Sequence, residues 1–211
     1  MDILFENQQQ IVCIKNPGLL SEEHPASSCL PGLLREHTGA PVYPVHRLDK
    51  ETGGVMVYAK TSGEAARLSK IIQNGGMVKE YLAILCGRPE EDAGEWNDLL
   101  FHDRAKNKTY AVRRERRGVK PARLAYQVLD TQGNYTLVQI RLYTGRTHQI
   151  RAQSAVRKLP LLGDRRYGGE AAASLALWAF RLTLPGPSVY TACPPKEGVW
   201  LPFTETLDKL S

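Results

Sequence analysis

The 211-residue sequence predicts an α+β fold: a mixed, largely antiparallel sheet flanked by helices. Three observations carry that expectation. Strand-length apolar runs rich in β-branched residues outnumber helical stretches, and two of those runs are joined by a tight turn, as in a hairpin. Other runs are linked through helical segments, so the sheet is mixed and not doubly wound. No repeat, low-complexity tract or long Pro/Gly/Ser linker interrupts the pattern, and the length suits a single domain over residues 1–211.

Taken in order, "QIVCI" at 10–14 reads as a strand, and "NPGLLS" turns the chain after it. "GVMVYAK" from Gly54 is a buried-type strand. It runs into "TSGEAARLSKIIQNGG", where Thr61 and Glu64 have capping-box spacing. Ala65, Leu68, Ile71 and Ile72 then share one helical face, and Gly75–Gly76 stops the helix. "EYLAILCG" is the next strand. In "RLAYQVLDTQGNYTLVQIRLYT" the turn former "QGN" joins two strands into a hairpin. "GRTHQIRAQSAVRK" is helical in character, and "SLALWAFRLTLP" is a late strand.

The charge is segregated. The chain carries a net +6, and residues 104–123, "RAKNKTYAVRRERRGVKPAR", hold nine Lys or Arg against one Glu. A second basic set comprises Arg141, Arg146, Arg151, Arg157, Lys158, Arg165 and Arg166, whereas "RPEEDAGEWND" upstream is acidic. Two basic segments in so short a chain make nucleic acid the leading partner. Apolar runs fall short of the roughly 18 residues a membrane span needs, and "MDILFENQQQ" does not read as a signal peptide. The cysteines at 13, 29, 86 and 193 are widely spaced, so they are expected to be reduced thiols in a cytoplasmic protein. The five histidines, at 24, 37, 46, 102 and 148, show no ligand spacing, and no metal is expected.

Two motifs carry candidate chemistry. In "VHRLDKETGG" at 45–54, alternation puts Arg47 and Asp49 on one side of an extended segment and His46 and Leu48 on the other. The glycines beyond Thr52 allow a tight turn or a close backbone approach. Far along the chain, "TGRTHQIRAQ" at 144–153 places Arg146, His148 and Arg151 around the start of a helix, a position that favours anions.

Together "HRLDKETGGVMVYAKT", "KEYLAILCG" and "GRTHQIRAQ…LPLLGDRRYGG" resemble the RNA pseudouridine synthases of the RluA branch, in the same order and with similar spacing from near residue 3 to "ALWAFRLTLP". The resemblance implies the pseudouridine synthase fold with a central RNA-binding cleft. It implies a catalytic aspartate at Asp49, an aromatic residue at Tyr81 against the uracil, and Arg151 paired with the aspartate. It further implies that Arg47 helps displace the target base. His46, Thr52, Lys79, Arg146 and His148 are expected to contact RNA near that pocket, and Arg113, Arg114, Arg116 and Arg117 to contact phosphates. The implied reaction moves uracil from an N1 to a C5 linkage without redox chemistry, so no cofactor is expected. The partner is a structured RNA, a tRNA or rRNA stem-loop, and the protein is expected to act as a monomer away from membranes. The S4 domain that many relatives carry is expected to be absent. Two departures stand out: Gly53 replaces the usual serine after Thr52, and Trp178 stands where histidine is more typical. A catalytically silent RNA-binding protein of the same fold is the alternative, and the presence of Asp49, Tyr81 and Arg151 together weighs against it.

Overall fold

The computed structural model describes residues 2–210. The chain runs through β1 (Ile3–Glu6), β2 (Gln10–Lys15), α1 (Leu30–Thr38), β3 (Tyr43–Pro44), β4 (Gly53–Ala59), α2 (Ser62–Gln73), β5 (Val78–Cys86), β6 (Ala93–Asp103), β7 (Lys108–Val112), β8 (Val119–Gln132), β9 (Tyr135–Leu142), α3 (Gln149–Val156), β10 (Leu177–Thr183), β11 (Val189–Thr191) and α4 (Thr204–Asp208). It divides into two compact units. One comprises Met1–Lys79 with Trp178–Pro194, the other Glu80–Leu177 with Pro195–Ser211. Antiparallel pairing predominates, with a parallel β4–β10 contact, which is the α+β class the sequence predicts.

In the first unit the strand order is β1-β2-β4-β10, with β3 on β4 and β11 on β10. Every residue of β4 is buried, as expected of its continuous apolar sequence. Val12, Val55, Val57, Leu68, Met77, Leu182 and Leu184 form a core against which Ala65, Ile71 and Ile72 of α2 also pack. Thr61 accepts the Glu64 amide at 3.1 Å, as the capping box requires. The Glu64 carboxylate itself grips Arg67 through two bonds of 2.7 Å. At the other end the Gly76 N–H reaches back to the Ile71 carbonyl at 2.8 Å, with Gly75 at φ +71°. Helix α1 opens on "LPG", turn formers that mask it in the sequence. Pro31 sits in the first turn, where its missing N–H is harmless, and left-handed Gly39 closes the helix.

In the second unit the order is β5-β9-β8-β6-β7. Strands β8 and β9 form the expected hairpin, Gln132 opposite Tyr135 across Gly133–Asn134. Strands β6 and β7 are a second hairpin, Asp103 opposite Lys108. The stretch 104–123, one charged run in the sequence, is therefore a turn, β7, a second turn and the start of β8. Leu100, Ala122, Ala152 and Tyr167 make a core cluster that ties α3 to β6 and β8.

Candidate active site

In the first unit the segment 45–52 links β3 to β4, and the main chain on both sides of Asp49 is clamped. Leu48 is buried, and both of its backbone groups bind one hydroxyl. Ser21 Oγ donates to the Leu48 carbonyl at 2.9 Å and accepts the Leu48 N–H at 3.2 Å. The Tyr58 hydroxyl holds the Ser21 carbonyl in turn, at 2.9 Å. On the other side the buried Lys15 ammonium donates to the carbonyls of Lys50 (3.0 Å), Leu19 (2.7 Å) and Asn16 (3.2 Å). Its three N–H donors meet three carbonyls. Burial lowers the Lys15 pKa to about 8, opposed by the charges of Glu51 and Asp49. The Lys50 carbonyl also accepts the Gly18 N–H, and the Thr52 N–H closes a turn onto the Asp49 carbonyl at 3.1 Å.

The side chains alternate as the sequence suggests. Arg47 is exposed and pairs with Glu22 at 3.1 Å, while Asp49 is half-buried. His46 turns inward, and its Nε2 accepts the Val57 N–H at 3.1 Å. Burial, assisted by the Lys79 charge, pushes its pKa down to about 3, so the imidazole is neutral and can accept. Its Nδ1 is buried without a hydrogen-bond partner among the described residues, as is Thr52 Oγ1. Both residues were expected at an RNA surface. Thr52 is 2 % exposed and His46 is engaged by the backbone, so the structure gives both a place inside the loop. Lys79, half-buried, has its pKa lowered by desolvation.

The two departures at 53 and 178 explain each other. They are register partners on β4 and β10. A Cβ on Gly53 would lie 2.3 Å from the Trp178 ring, and one on Gly54, at φ +118°, 2.2 Å from the Ala179 carbonyl oxygen. Glycine at 53 makes the room that the indole fills, and Trp178 Nε1 donates to the Ala192 carbonyl at 2.8 Å.

In the second unit Tyr81 lies buried on β5. The segment 144–148 is organised by Gln149, whose Oε1 accepts from Thr144 Oγ1 (2.8 Å) and the Arg146 N–H (3.0 Å), while its Nε2 donates to the Arg123 carbonyl (3.1 Å). His148, left-handed at φ 52°, is buried and meets the Tyr167 hydroxyl through Nδ1 at 3.0 Å. That hydroxyl also accepts the Thr109 N–H at 2.7 Å, and burial raises its pKa. Arg151 is buried and makes a bidentate pair with Asp164, at 2.7 and 2.8 Å. Its guanidinium stacks 5.2 Å from the Tyr167 ring centre. The loop that brings Asp164 there is tight: a Cβ at Gly163 or Gly169 would lie 2.0 Å from a backbone oxygen. Arg113, Arg114, Arg116 and Arg117 are exposed on the turn between β7 and β8, with Arg116 stacked 4.7 Å from Phe101.

Lys15, Ser21 and Asp164 were not singled out by the sequence. Their types read as surface residues, and they stand in the turn-rich stretches "KNPGLLS" and "LLGDRRYGG".

The fold has counterparts among solved structures. The human protein titled RNA Pseudouridylate Synthase Domain Containing 4 superposes with a TM-score of 0.79 at 26 % identity, covering 98 % of this chain and 93 % of its own. Human RNA Pseudouridylate Synthase Domain Containing 1 gives 0.77 at 21 %, covering 92 % and 82 %, and extends the likeness of fold. The fold is thus that of pseudouridylate synthase domains. Residues 9–156 match the family model described as RNA pseudouridylate synthase, and the chain belongs to that family. Among curated relatives, ribosomal large subunit pseudouridine synthase D of Vibrio parahaemolyticus is 35 % identical over 181 residues, 81 % of this chain and 54 % of the relative. An uncharacterized RNA pseudouridine synthase of Synechocystis is 31 % identical over 202 residues, 89 % of this chain and 62 % of the relative. The chain spans about half the length of the first of these.

Proposed function

We propose that the chain isomerises a uridine to pseudouridine in structured RNA, with Asp49 acting at the sugar as nucleophile or base. The observation that carries this reading is the double clamp on the Asp49 main chain. Ser21 fixes Leu48 and Lys15 fixes Lys50, so a half-buried carboxylate is held by rigid, buried partners. A merely solvated acidic turn does not need such support.

The chemistry requires the N1–C1′ bond to break, the uracil to rotate, and C5 to bond to C1′, with C5 losing a proton and N1 gaining one. A fixed carboxylate suits the sugar step. The family pattern assigns Tyr81 to the uracil ring, and Arg151 stands in the second unit bound to Asp164. Exposed Arg47 fits the task of filling the stack when the base leaves it, an extrusion that takes a few kcal/mol. The names of the curated relatives favour ribosomal RNA, and transfer RNA stem-loops have the same chemistry. Mapping pseudouridine in cellular RNA with and without the protein decides between them.

The test is release of tritium from C5-labelled uridine in RNA. Asp49→Asn is expected to lower turnover by at least about a thousandfold, with RNA affinity and the unfolding transition close to wild type. Turnover near wild type in that variant overturns the assignment.

A further inference from the structure

The second unit contains a cavity of about 300 Å³ lined by Leu100, His102, Arg104, Thr109, Gly118, Lys120, Gly145, Arg146 and Thr147. Its floor is one face of the β7-β6-β8 sheet. His102 stands opposite Thr109 across β6 and β7, and Leu100 opposite Lys120 across β6 and β8. Loop residues Gly145, Arg146 and Thr147 form a wall, and Gly118 adds no side chain to the space. The volume is at the small end of ordinary ligand pockets.

The charge of the lining sets it apart. Arg104, Lys120 and Arg146 line it, and no carboxylate does. Several cations elsewhere meet acids: Arg35 with Glu23, Arg47 with Glu22, Lys60 with Glu6, Arg67 with Glu64, Arg88 with Asp92, Arg123 with Glu95, and Arg157 with Asp98. Among the described residues, none of the three cavity cations forms an ion pair. Arg146 is instead aimed by its own Nε, which donates to the Pro121 carbonyl at 2.9 Å and leaves the terminal nitrogens for another partner. The polar lining is fixed too. Thr109 Oγ1 donates to the Thr147 carbonyl at 2.8 Å and so accepts a hydrogen bond from His102 Nδ1–H at 3.0 Å. Three cations around one concavity focus a positive potential there, and guanidinium groups match phosphate oxygens in a bidentate fork.

We infer that this cavity is a phosphate-binding site that holds backbone phosphates of the RNA, with Arg104, Lys120 and Arg146 as the ligating side chains. The inference rests on the RNA reading above and adds His102, Arg104 and Lys120 to its surface. A free nucleotide offers the same phosphate chemistry, so the experiment separates the two sources.

Affinity for a synthetic uridine-containing RNA stem-loop is measured by filter binding across a salt series. The proteins are wild type, the Arg104→Gln/Lys120→Gln variant, and a control with the same charge change at exposed positions, Lys70→Gln/Lys209→Gln. Uridine 5′-monophosphate is titrated separately against all three. The cavity variant is expected to bind RNA roughly tenfold more weakly at moderate salt. Its log–log salt slope should be shallower by roughly 1.4 to 1.8, since each lost contact removes about 0.7 on single strands and about 0.9 on a B-DNA duplex. The control should keep the wild-type curve. Equal loss in both variants, or no loss in the cavity variant, overturns the inference. A defect confined to the mononucleotide overturns the assignment to RNA backbone and gives the cavity to a free nucleotide. These curves score binding only, so a wild-type protein that binds RNA yet releases no tritium sinks the proposed reaction and leaves the phosphate site standing.

Discussion

Arg47 and Arg151 each meet a carboxylate, and the two pairs are built to opposite ends. Arg47 and Glu22 retain 62 % and 53 % of their side-chain exposure and touch at 3.1 Å. Arg151 and Asp164 retain 6 % and 0 %, in bidentate geometry. An exposed pair contributes about 0–1 kcal/mol and gives way readily. A buried pair contributes little net stability over an apolar replacement, yet removing one partner strands a charge. Arg47 is therefore free to exchange its partner for a ligand, whereas Arg151 is a fixed post. The sequence gives both arginines similar weight, one in each motif. The difference in what they can do arises from their surroundings.

The sharpest way to break this comparison is Asp164→Asn. It leaves the shape of the loop and takes away the carboxylate charge that Arg151 grips in bidentate geometry. The expected loss of unfolding free energy is about 3 kcal/mol, read from urea transitions of the variant and wild type at one pH. A loss below about 1 kcal/mol puts Arg151 in the same class as Arg47 and ends the distinction.

Much of this architecture could be read from residues alone, for identifiable reasons. Helix α2 declares itself through Thr61, its apolar face and Gly75–Gly76, all local signals. The β8–β9 hairpin does so through "QGN". The β6–β7 hairpin does not, because its charges lie on the turns at 104–107 and 113–118 and mask the short strand between them. The motif residues Asp49, Tyr81 and Arg151 were visible as family pattern. Their supports were not. Ser21 and Lys15 act on the Leu48 and Lys50 main chain, and no side-chain pattern encodes a contact between a hydroxyl and a backbone about 27 residues away. His46 shows the same limit. Its neighbours suggested a ligand contact, and its ring is committed to the Val57 amide.

That commitment gives the next sharpening, because His46 is held as a neutral ring by a main-chain amide where Arg151 is held by charge. His46 is kept neutral in the fold, with its pKa lowered to about 3, while an unfolded histidine titrates near 6.5. Between those values the unfolded chain binds the extra proton. The contribution is thus fully present above about pH 6.5 and is lost as pH falls toward 3. Going from pH 7 to pH 5, wild type should lose on the order of 1 kcal/mol more than His46→Gln, whose amide oxygen can still accept the Val57 N–H. Equal losses show that the ring is not held neutral.

The smallest expected effect is at the other end of the comparison. Glu22→Gln removes the charge facing Arg47 and strands nothing, since the guanidinium is already solvated. Unfolding free energy should change by less than about 0.5 kcal/mol, and 1 M salt should erase even that difference. The consequence for function has the opposite sign. Glu22 competes with any anionic ligand for Arg47, so its neutralisation should tighten RNA binding by roughly twofold to fivefold at low salt, a free-energy change of less than about 1 kcal/mol. Filter binding at low and high salt, beside urea transitions, reads both quantities. If Glu22→Gln destabilises the fold as much as Asp164→Asn, or weakens RNA binding, Arg47 is a structural post like Arg151, and the group that takes the place of the extruded base must be another.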